Sequence, residues 1–187
     1  MKMFSNRERG ANLVEFALVV PIVLLVVIGI LEVGVAFRDL LTVSNAAKEG
    51  VRVVAAMGDD PLSDCVVLTK TSSALASSVS LSNLLTIEIF RADSNGDQIP
   101  GDTNVYTLPI GADPTDCTEW APNPMEIDSL AWSPLDRNVK IGPDDDLDIA
   151  GVRVTYTHNW ITGFPPFVNS FMVDQATVSR LEPEEYA

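Results

Sequence analysis

Two carboxylates, Glu15 and Glu32, stand at the margins of a stretch from Phe16 to Leu31 that carries no charge. An anionic carboxylate is costly there, so it favours a proton or a partner of opposite charge. Cys65 and Cys117 are the two thiols, and both follow the apolar stretch. Outside the cytoplasm such a pair forms a disulfide; the alternative is two buried free thiols. Asp93-Ser94-Asn95-Gly96-Asp97 sets oxygen atoms at alternate positions, as a calcium loop does. The sixth position is Gln98 rather than glycine and the twelfth is Asn104 rather than glutamate, so a hairpin turn explains the run better. Asp144, Asp145, Asp146 and Asp148 form a sharper anionic cluster, which reads as a solvated acidic turn or as a divalent-cation site.

The remaining candidates argue against catalysis. His158 is the single histidine, and no GxSxG motif supplies a nucleophile for it to activate. Zinc would need more His or Cys ligands than remain, and no glycine-rich loop cradles a phosphate. A lone histidine in an alternating strand reads as a structural or surface residue. The chain is therefore expected not to be an enzyme and to need no cofactor or metal.

The elements that position these residues follow from the apolar pattern. Flanking residues extend the uncharged stretch to about the ~20 positions a helix needs to cross ~30 Å of hydrocarbon. Lys2, Arg7 and Arg9 precede it, whereas Arg38 and Asp39 cancel one another after it. The positive-inside bias puts residues 1–10 in the cytoplasm and Arg38 onward outside. The expected location is thus the cytoplasmic (inner) membrane, crossed once. A signal peptide cut after Ala36, at Gly34-Val35-Ala36, is the competitor. Glu15, Glu32, the early Pro21 and helical patterning that runs through the cut count against it. Formal net charge is −14 with a basic leader, so the acidity lies beyond the first ten residues and repels nucleic acid.

Leu40, Val43, Ala47, Val51 and Val54 continue an apolar stripe at spacings of three and four. Asp39, Thr42, Asn45, Lys48, Glu49 and Arg52 are assigned to the other faces. The pattern predicts one helix from about residue 11 to 56, ended by Gly58-Asp59-Asp60-Pro61. Its stripe serves core packing against the chain's own sheet or a contact between subunits, and Gly50 lets a neighbouring backbone approach. Residues 85–90 alternate as a strand, 105–108 make a partner, and 148–157 and 174–181 supply two more. Residues 68–81 suggest a second helix, and the proline-punctuated 111–142 a long loop tied by the disulfide. The fold class is α+β, a long N-terminal helix with a small antiparallel sheet. The layout is leader 1–10, membrane helix 11–37, its extracytoplasmic continuation 38–58 and an acidic β-rich domain 59–187.

One short motif narrows the function. In Arg7-Glu8-Arg9-Gly10-Ala11-Asn12-Leu13-Val14-Glu15-Phe16 a basic leader ends in glycine, and a carboxylate follows five residues later. This resembles the processing site of type IV prepilins, which a membrane aspartyl peptidase cuts after the glycine. The resemblance implies cleavage between Gly10 and Ala11 and a mature Glu15 that pairs with a neighbour's terminal ammonium; otherwise Glu15 stays neutral near the headgroups. Pro21 lies within the span as in many pilin helices, where it permits a kink. Asn45-Ala46-Ala47-Lys48-Glu49-Gly50-Val51-Arg52, Val152–His158 and Ser179–Pro183 resemble the TadE-like family, pseudopilins or assembly components of the Tad (Flp) pilus apparatus. Val51 replaces a small alanine of that pattern and Lys48 an arginine. The partners implied are the lipid membrane, a prepilin peptidase, other Tad assembly proteins and further copies through the N-terminal helix. The alternative is an anchored extracytoplasmic binding module that joins no pilus.

Overall fold

A computed structural model describes residues 5–140, 146–163, 165 and 168–183. Asp144 and Asp145 of the acidic run, and residues 1–4 of the leader, lie outside the described residues. The chain divides into two compact units. One comprises Met1–Arg38 with Trp160–Asn169, the other Asp39–Asn159 with Ser170–Ala187.

Helix α1 runs over Ser5–Met57 and is helical throughout, Pro21 included. It starts within the basic leader rather than at residue 11, because Arg and Glu are good helix formers and a single Gly10 costs only about 1 kcal/mol. Within the first unit most of its described apolar side chains are exposed, Leu13 at 71% and Phe16 at 69%. This stretch has the length and composition of a membrane-crossing helix.

The second unit has a conventional core. From Asp39 onward α1 lays Val43, Ala46, Ala47, Val51 and Val54 into it, each at most 3% exposed. The stripe therefore serves core packing, as one of its two readings has it. Gly58 ends the helix at φ +54°, a left-handed conformation that suits glycine, and its N–H donates to the Val54 carbonyl at 3.0 Å. Gly50 meets side chains rather than a backbone. A Cβ there would stand 2.5 Å from Thr71 Oγ1 and 3.0 Å from a Val152 methyl, so its absence seats the helix on both neighbours.

Helix α2 spans Ser63–Ala76, five residues ahead of its expected place. Its buried face is Ser63, Asp64, Val67, Leu68, Thr71, Ser72 and Leu75, a helical stripe whose first turn is polar. That polarity hid the start, and the run Ser77-Ser78 marks the stop. Residues Leu81–Asn83 form a short 3₁₀ turn.

The sheet contains β1 (Leu84–Ala92), β2 (Gln98–Tyr106), β3 (Ile149–His158) and β4 (Phe171–Arg180). Their order is β2-β1-β3-β4, and every pair is antiparallel. The alternation expected for 85–90, 148–157 and 174–181 is present; β1 and β4 are three and two residues longer, and β3 is shifted by one. β2 starts at Gln98 rather than Val105, because Pro100 and Gly101 interrupt the pattern. Both are tolerated in an edge strand, where the register with β1 shifts between Phe90 and Ala92. Thr107 pairs instead with Ala121 in an isolated bridge.

Ile87 and Ile89 of β1 and Ala150, Val152, Val154 and Tyr156 of β3 face the helices. The opposite face buries one ring. Phe90 lies over Gly151, its register partner, in the space where a Cβ would stand, and Arg153 covers the ring at 5.3 Å. Arg153 also donates to Glu88 at 3.0 Å and to Gln98 at 2.7 Å, so a polar layer seals that face.

Candidate assembly and processing site

The residues of the processing motif share one uninterrupted turn sequence at the start of α1. Gly10 is exposed, and a Cβ built on it would meet nothing within 4 Å. Glu15 is exposed on the same helix, between Val14 and Phe16 that are exposed as well. No group of the chain competes for either position among the described residues. Both are thus open to a peptidase or a neighbouring molecule.

Glu32 behaves differently from Glu15. Its side chain is 1% exposed. It accepts hydrogen bonds from the Ile161 N–H at 3.0 Å, the Thr162 N–H at 2.6 Å and the Thr162 hydroxyl at 2.6 Å. A helical carboxylate at the edge of an apolar span has found backbone donors on the loop between β3 and β4, in the same unit. The sequence showed the cost of Glu32 but not its partners, which lie some 130 positions away.

Asp39 corrects the facial assignment of α1. It belongs to the buried side, 5% exposed, and its Oδ2 meets His158 Nδ1 at 2.8 Å. His158 continues the inward series Ala150, Val152, Val154, Tyr156 on β3, so strand alternation alone could have placed it in the core. Phe171 stacks beside its ring at 4.9 Å. The pair is structural in position: a strand end is pinned to a helix.

A second buried polar group, around Arg137, went unpredicted. Arg137 and Asp64 form an ion pair with both side chains fully buried. Arg137 also donates to Ser63 Oγ at 2.8 Å and lies 4.6 Å over the Trp132 ring. Asp64 Oδ2 accepts from the Tyr106 hydroxyl at 2.6 Å and from Asn104 Nδ2 at 2.9 Å. Asn104 exchanges two further bonds with the Trp132 backbone, at 2.8 and 3.0 Å. Beside Asp64, Cys65 is joined to Cys117 in a disulfide with Cα atoms 5.4 Å apart. Together these contacts fasten the long excursion between β2 and β3 onto α2. That excursion is a loop as expected, with 3₁₀ turns at Cys117–Glu119, Ile127–Ser129 and Pro134–Asp136, yet it buries Trp120, Trp132 and Val139.

Burial and the adjacent Asp64 charge push the Tyr106 hydroxyl pKa well above its ordinary value of 10. A raised folded-state value means the neutral form is favoured by the fold, so its contribution is intact below pH 10 and is lost as the pH rises further. Stability is expected to fall by up to about 1.4 kcal/mol per pH unit above about 10. Tyr106→Phe should be less stable at neutral pH and should flatten that alkaline limb; denaturant titrations at pH 8 and above 10 check both.

Asp93 of the first acidic run and Asp148 of the second are engaged internally. Asp93 accepts from the backbone N–H groups of Asn95 at 2.8 Å and Asp97 at 2.9 Å, as a turn residue does, and the Asp97 amide foremost lowers its pKa. The hairpin reading holds for this run. Asp148 pairs with Arg91 at 2.8 Å and accepts from the Asn138 N–H at 2.8 Å. Among the described residues no three His, Cys, Asp or Glu side chains gather as a metal-binding group.

Neither a curated protein nor a solved structure matches the chain. The comparison with protein families does give a match, over residues 10–52, to the TadE-like protein. The matched stretch begins at the glycine of the processing motif and ends at Arg52, taking in the small-residue run before it. It does not extend to Val152–His158 or Ser179–Pro183. The apolar helix, the motif glycine, Glu15 and the Asn45–Arg52 run all lie within the stretch, residues 10–52, that is similar to the TadE-like protein.

Proposed function

We propose that this chain is a non-catalytic subunit or assembly component of a Tad (Flp) pilus system, cut after Gly10 by a prepilin peptidase. The family match over residues 10–52 carries this reading, because it begins at the very glycine the peptidase would recognise. The chain crosses the cytoplasmic membrane once, with residues 1–10 inside and the acidic domain outside, and works beside other Tad components. Cleavage frees the ammonium of Ala11, and Glu15 of one copy pairs with the ammonium of the next. In hydrocarbon that attraction is strong enough to align subunits, because neither charge is otherwise compensated. The exposed helix face around Glu15 supports the reading, since a buried carboxylate could not reach a neighbour.

The test is mass spectrometry of the N-terminus in cells with an active prepilin peptidase. A mature start at Ala11, lost in Gly10→Ala, is the expected result. Retained residues 1–10, or a start at Phe37, would overturn it. Open space around Gly10 means that the substitution reports on recognition rather than on folding. Glu15→Ala should still be cleaved but should reduce incorporation or co-purification with pilus components by roughly tenfold or more, as expected for ~1.4 kcal/mol or more of lost pairing. Unchanged assembly would remove the pairing role.

A further inference from the structure

We propose that the loop between β3 and β4 is a second lipid-contacting element, held at the membrane interface by Glu32. This rests on the reading of α1 as a membrane helix. From Asn159 to Val173 fifteen consecutive residues carry no charge, in a chain where 20% of residues are charged. The segment Trp160–Asn169 groups with the apolar part of α1 rather than with the sheet domain from which it springs. What joins them is specific: the buried Glu32 carboxylate holds the Ile161 and Thr162 amides and the Thr162 hydroxyl. Glu32 is the first charge after the uncharged Phe16–Leu31 stretch, so the loop is fixed at the level where the hydrocarbon ends.

At that level Ile161 and Val168 stay open. Ile161 is 68% exposed and Val168 54%, as Leu31 and Val33 of the helix are at 62% and 57%. Exposed branched aliphatics that continue an apolar helix surface suit acyl chains, and a tryptophan such as Trp160 suits the headgroup boundary. The carboxylate gains as well. An anion at the edge of a bilayer is tolerated when backbone donors satisfy it, and the loop supplies them. The partner is therefore the lipid interface, with Glu32 as a positioning residue.

Depth-dependent fluorescence quenching tests this on the full chain in vesicles of neutral phospholipid. Single cysteines are placed at Ile161, at Leu24 in the helix and at Asn95 in the β1–β2 turn, and labelled with an environment-sensitive dye. The native cysteines are disulfide-bonded and stay unlabelled. The Ile161 label is expected about 5–10 Å inside the headgroup boundary, quenched by shallow lipid-borne quenchers more than by deep ones. The Leu24 label should respond to deep quenchers and the Asn95 label to neither. If Ile161 matches Asn95 while Leu24 is quenched, the loop proposal falls and the membrane helix stands. If Leu24 is unquenched too, both fall. Dye self-quenching at Ile161 that disappears on dilution with unlabelled chain would assign the loop to a second copy and overturn the lipid contact. Glu32→Ala should move the Ile161 signal to that of Asn95, Glu32→Gln should largely preserve it, and Leu24 should change in neither; an unchanged Ile161 signal in Glu32→Ala would overturn the tether.

Discussion

Replacing Arg137 by alanine should destabilise the folded domain by about 3–5 kcal/mol, a large share of the roughly 5–15 kcal/mol that holds an ordinary domain folded. The substitution leaves the Asp64 carboxylate fully buried with the Tyr106 and Asn104 donors but without its counter-charge. Two neutral hydrogen bonds do not replace a cation inside a low-dielectric core, so the residual charge dominates the cost. Removal of the guanidinium also empties the space over the Trp132 ring and releases Ser63. The double variant Asp64→Asn with Arg137→Met should be markedly less destabilised than Arg137→Ala, because no uncompensated charge remains. Denaturant unfolding of the detergent-solubilised chain, followed by near-ultraviolet circular dichroism, reads both. Equal losses for the single and the double variant would show that packing, not charge, governs the site.

Loss of the Cys65–Cys117 disulfide should have the next largest effect. The bridge closes 52 residues of sequence, for which the chain-entropy model gives about 4 kcal/mol. The closed loop holds most of α2 and all of β1 and β2, whose residual order in the unfolded chain lowers the entropic figure. Cys65→Ser with Cys117→Ser is expected to lower the unfolding free energy by about 2–4 kcal/mol. The same loss should follow mild reduction of the native chain, which separates the crosslink from any packing defect of serine. The two predictions are coupled: Asp64 adjoins Cys65, and both features fasten the β2–β3 excursion to α2. Their combined loss should depart from additivity, since either alone already frees part of the same segment.

Much of this architecture was legible from periodicity. The sixteen uncharged residues at 16–31 and the stripe from Leu40 to Val54 predicted α1 to within one residue at its C-terminal end. Glycine and aspartate after it marked the stop, since Gly58 takes the left-handed conformation that ends a helix. β1, β3 and β4 followed from alternation alone. Gly10, Glu15 and the small-residue run pointed to a family, which the match over residues 10–52 shares. These are local signals: a helix or strand that buries one face repeats its apolar residues at a fixed period, and a motif read by a peptidase is contiguous.

What escaped the sequence was polar and distant. The apolar pattern leaves Asp39 off the stripe, sets α2 five residues late and hides Arg137 in a proline-rich loop. In each case a charged or polar residue sits on a buried stripe and breaks the apolar pattern that would reveal it. Such a residue is tolerated inside only because a partner arrives from far along the chain: His158 for Asp39, Asp64 for Arg137, Ile161 and Thr162 for Glu32. Glu15 and Glu32 look alike in sequence, each a carboxylate bounding one apolar helix. Only the tertiary structure separates them, leaving Glu15 exposed and surrounding Glu32 with donors from a loop 129 residues away. The sequence by itself determined that these two charges are expensive where they stand; which of them the fold itself compensates depended on the chain's path, because desolvation is a local cost whereas the compensating group can come from anywhere.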